Sequence, residues 1–237
     1  SVKARVRMGL SIRPAGVIVY EYDRAGIAAL EYIPKDMPMV VVGGSFGDGG
    51  YQVINAERDG GRWMTMHLLD LGHRTVFHVG RPEGPTDNTR PDGWRDALKE
   101  RGVTAPDPII VPDDDLEESV KAGRTLGRRG DVTAIFAGND ETAIAVIRGL
   151  REVGRRVPAD VSVVGFDDRN FGAMWNPALT SYTQNFLDMG ERSFRMLFEQ
   201  IQAKRAGDDA PPSQVEVVQG KPCLRASERA YGDGEIA

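Results

Sequence analysis

The sequence is poor in the residues on which most metal and nucleophilic chemistry depends. Its 237 residues hold one cysteine, Cys223, and three histidines. A single cysteine excludes an internal disulfide framework and a multi-cysteine metal site. His67, His73 and His78 each have a plain reading: one on a helix face, one after a helix-stop glycine, one alternating within a strand. No metal set is expected from them, and no cofactor is expected. No apolar run reaches the roughly 18 residues of a membrane span, and nothing at Ser1 reads as a secretory signal. The formal charge is −5, so a broad basic face for nucleic acid is not expected within these residues. No G-x-G-x-x-G follows a strand and opens a helix, and there is no P-loop, H-E-x-x-H, C-x-x-C or G-x-S-x-G.

What remains has the composition of a globular protein, 41% hydrophobic and 27% charged, long enough for one large or two small domains. Short apolar runs alternate with helical patterns almost throughout. The basic stretch 1–14 reads as a helix end and a turn closing at Pro14. Strands are expected at 15–20, 39–42, 51–55, 75–79, 109–111, 132–137, 161–165, 181–183 and 214–218, with helices over 25–33, 58–71, through Trp94 to Gly102, to about Arg129, after Asn139, and from Phe186 to Ile201. The segment after Arg229 reads as disordered. This alternation predicts an α/β fold with parallel sheets.

The stretch Ala134-Ile135-Phe136-Ala137-Gly138-Asn139-Asp140 is the most informative. A buried strand ends at Gly138 and a helix begins at once, with Ile144, Ile147 and Leu150 at helical spacing. Asn139 and Asp140 are either helix caps or, at the carboxyl end of a parallel strand, pocket residues. Two other strand ends carry polar groups, Arg90 in the helix after Val79 and Asp167 after Gly165. A guanidinium, an amide and a carboxylate together suit a polyhydroxylated ligand. Phe186, Phe171 and Trp94 are aromatic candidates for packing on a sugar ring; each has a core reading beside it, the favoured one for Trp94. Asp113-Asp114-Asp115 resembles a cation site but is better read as helix caps. The run Gly43 to Gly50 reads as a loop before it reads as an anion cradle. Asp167 and Asp168 are also readable as catalytic carboxylates, and the residues alone do not separate that from binding hydroxyls.

These motifs resemble the effector-binding domain of lactose-repressor-type (LacI/GalR) transcription regulators. The segments that carry the resemblance are HLLDLGHRTVFHVG, Arg90-x-x-Gly93-Trp94-Arg95-Asp96-Ala97-Leu98, TAIFAGNDETAIAVIRGLREVGRRVPADVSVVGFDD, NPALTSYTQNFLDMG and the closing Leu224-Arg225-Ala226-Ser227. It runs from about Ala15 to Ser227. It implies a periplasmic-binding-protein-like fold of two parallel-sheet subdomains joined by three crossovers, with the effector in the cleft. One subdomain is expected over residues 1–55 plus 186–213, the other over 56–183 plus 214–231, leaving 232–237 as a tail. Arg90, Asn139 and Asp167 match the family's effector contacts, and Gln184 and Phe186 fall at a crossover. Ile144 and Trp175 match its dimer positions. The resemblance thus implies a non-enzymatic, cytoplasmic homodimer. It would bind a small effector, a sugar or related polyol, and reach operator DNA through a helix-turn-helix domain that these residues do not include.

The family's opening strand and helix are not found before Ala15, so the N-terminal part is expected to be truncated. Gly43 stands where the family often has Asp, and Asp115 where it often has an aromatic. Both bear on the hexose preference, and Asp115 would suit a cationic ligand group unless it points to solvent. Two rival readings are a secreted sugar-binding protein serving a transporter, and an enzyme built on Asp167 and Asp168.

Overall fold

The computed structural model describes residues 1–21, 24–43, 50–82, 89–112 and 115–232. In chain order the elements are α1 (Val2–Ser11), β1 (Val17–Tyr20), α2 (Arg24–Leu30), β2 (Met39–Val42), β3 (Gln52–Asn55), α3 (Glu57–Asp70), β4 (Phe77–Gly80), α4 (Arg90–Glu100) and β5 (Ile109–Ile110). They continue with α5 (Leu116–Gly127), β6 (Ala134–Ala137), α6 (Asp140–Glu152), β7 (Ser162–Val164), α7 (Asn170–Met174), β8 (Ser181–Thr183), α8 (Phe186–Ala206), β9 (Val215–Val218) and β10 (Lys221–Cys223). They form two compact units. The first holds Ser1–Ala56 and Asn185–Gln219; the second holds Glu57–Pro82, Thr89–Gln184 and the chain from Gly220.

In the first unit, four parallel strands lie in the order β1-β2-β3-β9. Alternate strand residues point to one face: Val40, Val42, Val53 and Val218 pack there against Met189, Met196 and Leu197 of α8. Gln200 of α8 pins the start of β2, its Oε1 accepting from the Met39 N–H and its Nε2 donating to the Met39 carbonyl, both at 3.1 Å. Gly207 stops α8 in the left-handed conformation. The sequence had placed residues from Gln214 onward in the other subdomain. The structure corrects this, because β9 pairs with β3 from Gln52↔Val215 to Asn55↔Val218.

The second unit has a parallel sheet of order β5-β4-β6-β7, with β8 and β10 as a separate antiparallel pair. The chain leaves β4 for β5 and then returns past β4 to β6. The carboxyl ends of β4 and β6 are therefore where the winding reverses, the usual place for a ligand. Strand β6 is apolar without alternation because both of its faces are buried. Ile135 and Ala137 belong to one core cluster with Val146, Ile147 and Leu150 of α6. Ala134 and Phe136 belong to the other, with Met64, Leu68, Trp94 and Leu98 of α3 and α4. Trp94 is a core residue, as its safer reading had it, fully buried with Nε1 donating to the Val76 carbonyl at 2.8 Å.

Helices α3 and α4 touch backbone to backbone, and so do α5 and α6. A Cβ on Gly93 would lie 2.0 Å from the Arg58 carbonyl, and one on Gly149 would lie 2.1 Å from that of Val120. Only a residue without a side chain permits these approaches.

The C-terminal segment closes the second unit. Ser227 donates to the Val163 carbonyl at 2.6 Å and accepts from the Thr180 N–H at 2.8 Å. The Arg229 N–H donates to Ser162 Oγ at 3.1 Å, and the Tyr231 N–H donates to the Leu71 carbonyl at 2.8 Å. Residues 230–232 are thus not the disordered tail expected after Arg229; residues 233–237 lie outside the described residues, as do 44–49 and 113–114. Asp115 caps α5, its Oδ1 accepting from the Glu118 N–H at 3.0 Å. Helix α7 and strand β10 were not foreseen.

Gly149→Ala is expected to lower the urea midpoint. An alanine gains about 1 kcal/mol of helix propensity, but the clash with the Val120 carbonyl costs more, for a net loss of about 1–3 kcal/mol. Gly190→Ala, inside α8 with nothing within 4 Å of its Cβ, is the matched control and should raise the midpoint slightly, by about the helix-propensity gain alone.

Candidate ligand site at the strand ends of the second unit

The site begins with the crossing of α3 and α4. A Cβ on Gly61 would lie 2.4 Å from the Arg90 carbonyl, so the first turn of α4 rests on α3. Glu57 lies four residues before Gly61, on the same face of α3, and so looks at the Arg90 side chain. The Arg90 residue is only 5% exposed. A guanidinium cannot be desolvated without acceptors, and three are present. Nη1 donates to the Gly138 carbonyl at 2.5 Å, Nη2 donates to Glu57 Oε1 at 2.6 Å, and Nη2 lies 3.1 Å from Asp167 Oδ1. The guanidinium carbon sits 4.1 Å from the centre of the Phe166 ring, a cation–π arrangement.

Asp167 reaches this cluster through an unusual backbone. Its φ is +98° and that of Asp168 is +52°, a region that L side chains enter at a cost. The turn is held by the Asp167 N–H donating to the Tyr182 carbonyl at 2.8 Å and the Asp168 N–H donating to Ser181 Oγ at 3.1 Å. Gln184 donates its amide N–H to Asp167 Oδ1. Asp168 turns to Arg225, 2.6 Å from its Nη2. The two carboxylates are therefore each spent on a different arginine, which is not the arrangement of a paired acid and base.

The structure thus brings Arg90, Asp167 and Gln184 together and adds Glu57, which sequence reasoning passed over. Asn139 is the cap of α6, its Oδ1 accepting from the Thr142 N–H at 2.8 Å. It is half-buried and sits one residue beyond the carbonyl that Arg90 holds. Asp140 is fully buried. Ser181 Oγ donates to its Oδ1 and the Arg169 N–H to its Oδ2, both at 2.6 Å. Burial nonetheless pushes its pKa up to about 7, with Asp167 and Asp168 adding to the rise.

The other candidate residues lie elsewhere. Phe186 opens α8 in the first unit and is half exposed. Ile144 and Trp175 line an open groove of about 680 Å³ on the second unit with Leu116, Val120, Ala145 and Phe171. That placement takes Phe171 away from the strand ends. The histidines are dispersed: His67 lies 3.5 Å from Glu228, His73 contacts Thr133 and Ser162, and His78 reaches the Phe136 carbonyl. Among the described residues no group of three or more His, Cys, Asp or Glu could hold a metal ion, and no helix is long and apolar enough to cross a membrane.

Comparison with known proteins gives a match to the periplasmic binding protein-like domain over residues 65–227. The chain is 34% identical over 194 residues to the HTH-type transcriptional repressor PurR of Erwinia tasmaniensis, covering 80% of this chain and 57% of that protein. It is 30% identical over 176 residues to the ribose operon repressor of Halalkalibacterium halodurans, covering 73% and 53% respectively. The chain spans a little over half the length of these curated relatives. Among solved structures, the transcriptional regulator CelR–cellobiose complex superposes with a TM-score of 0.85 at 27% identity, over 95% of this chain and 69% of that one.

The raised pKa of Asp140 carries a sign. Between the ordinary carboxylate range and about 7, the folded state holds a proton that the unfolded state has lost. Stability therefore falls as pH rises through that window and levels off above it. Asp140→Asn imitates the protonated acid and removes the fall. Thermal melts from about pH 4 to 8 should show the variant gaining on the parent as pH rises; parallel profiles would mean that Asp140 does not titrate there.

Proposed function

This chain belongs to the periplasmic binding protein-like domain family, and we propose that it is the effector-sensing part of a cytoplasmic LacI-type transcriptional regulator. It is a binding module and not an enzyme. The observation that carries the proposal is the cluster of buried Arg90 with half-buried Asp167 and Gln184 at the point where the winding of the second sheet reverses. Carboxylate and amide oxygens beside a guanidinium meet hydroxyl groups with charge-assisted hydrogen bonds. The effector is accordingly a sugar or related polyol, contacted by Arg90, Asn139, Asp167 and Gln184. Relatives named as repressors, one of them for a ribose operon, support a regulator over a transporter's binding protein.

The mechanism is a population shift. An effector can move a conformational equilibrium only by its differential affinity for the two states, and coupling of this kind is typically ~1–3 kcal/mol. Operator DNA is read by a helix-turn-helix domain outside these residues, and the effector biases its DNA-binding geometry. The regulator acts as a homodimer through the groove that carries Ile144 and Trp175, whose exposed apolar lining would otherwise face water.

Two measurements test this. A sugar at 100 times its Kd should stabilise the chain by about 2.7 kcal/mol in thermal unfolding. That shift should be lost in Arg90→Ala and in the milder Asp167→Asn; equal shifts in parent and variants would place the ligand elsewhere. In sedimentation velocity, Ile144→Glu and Trp175→Glu should each convert a dimer to a monomer. A parent that is monomeric at ~100 μM, the concentration scale of a weak association, would remove the dimer from the proposal.

A further inference from the structure

The ligand site carries one more carboxylate than its proposed contacts require. Glu57 is the first residue of α3 and belongs to the surface that Gly61 brings against α4. Its Oε1 takes Nη2 of Arg90 at 2.6 Å, a closer approach than the 3.1 Å of Asp167. One guanidinium therefore faces two carboxylates. Among the described residues, two neighbouring carboxylates have arginines of their own, Asp168 with Arg225 at 2.6 Å and Glu141 with Arg169 at 3.4 Å, and Arg81 lies with Asn139 and Glu141 along a small pocket beside them. Taken by themselves, the three side chains carry one positive and two negative charges, and they are only 6%, 19% and 18% exposed for Arg90, Glu57 and Asp167. Partial burial strengthens that field relative to bulk water.

We propose that Glu57 is a specificity-determining residue, which neutralises Arg90 so that the site accepts neutral or aminated hydroxyl-bearing ligands and rejects anionic ones such as sugar acids and phosphates. This rests on the strand-end site proposed above. A hydroxyl or ammonium group brings donors to the carboxylate oxygens of Glu57 and Asp167 and completes their hydrogen bonds. A carboxylate or phosphate brings only acceptors and a second negative charge. The guanidinium that would ordinarily attract it in a bidentate fork already has Nη1 on the Gly138 carbonyl and Nη2 between two carboxylates. An anion there is a desolvated charge beside like charge, which costs several-fold to many-fold in affinity.

The experiment uses matched ligands that differ in charge: glucose, glucosamine, glucuronate and glucose 6-phosphate; ribose and ribose 5-phosphate; adenosine and its 5′-monophosphate. Affinities are measured by calorimetry on the full chain and on Glu57→Gln. In the parent, the neutral or aminated member of a binding pair should win by more than about tenfold. Glu57→Gln, of the same shape, should narrow that ratio by roughly tenfold, chiefly by improving the anionic member. A parent that prefers the acid or phosphate overturns the inference while leaving the strand-end site standing. So does a ratio that Glu57→Gln leaves unchanged. Should Glu57→Gln fail to fold, the parent's own ratio and its dependence on salt decide the matter. No binding by any member would overturn the functional proposal and this inference with it.

Discussion

A buried guanidinium has to be given acceptors, and the second unit is arranged around meeting that demand for Arg90. Its partners come from three separated places in the chain: the first turn of α3, the carbonyl at the end of β6 and the turn after β7. None of these is near Arg90 in sequence, so the cluster forms only when the sheet and the α3–α4 layer are in place. The same demand explains the left-handed backbone at Asp167, which carries a carboxylate to Arg90 where ordinary strand geometry would point it elsewhere. Strain of this kind persists where surrounding bonds over-determine it, here the Tyr182 carbonyl and Gln184.

The helical layers meet a common steric problem in one way. Each face of the β5-β4-β6-β7 sheet carries a helix pair that crosses at glycine, Gly61 with Gly93 on one side and Gly123 with Gly149 on the other. Close crossings bring backbones together at the cost of side-chain volume, which the large residues beneath them supply: Trp94 and Phe136 on one face, Ile147 and Leu150 on the other. On the α3–α4 side the crossing also sets the register of Glu57 against Arg90. Packing and recognition there share a cause.

Much of this was legible in the sequence, and the failures have physical reasons. The apolar runs at Met39 to Val42 and Ala134 to Ala137, the cap option at Asn139 and the choice of Arg90 and Asp167 as strand-end polar groups all follow from local pattern or from the motifs that carry the family resemblance; that Arg90 and Asp167 face each other does not. Glu57 was passed over because the apolar pattern starts the helix at 58, one residue late, and nothing local to Glu57 points to Arg90, 33 residues on. Strand β9 was assigned to the wrong unit because pairing partners are set by contacts far apart in sequence. Strand β10 is three residues long and includes Pro222, and α7 spans five residues; neither is long enough to show a period. The two roles of Asn139 were left open by the sequence, and the structure makes it a cap without removing it from the strand ends.

The closure of the second unit by its last residues has a consequence for synthesis. Between Gln184 and Gly220 the chain leaves to build α8 and β9 in the first unit before it returns. Ser227 then ties Val163 to Thr180, and β10 pairs with β8. On the ribosome, β4 through β8 emerge well before the residues that seal them. The second unit must wait, its β7–β8 junction open, while the first takes in α8 and β9. A chain released before residue 227 would lack the seal on a sheet already synthesised, and would expose that junction to the aggregation that threatens incomplete domains.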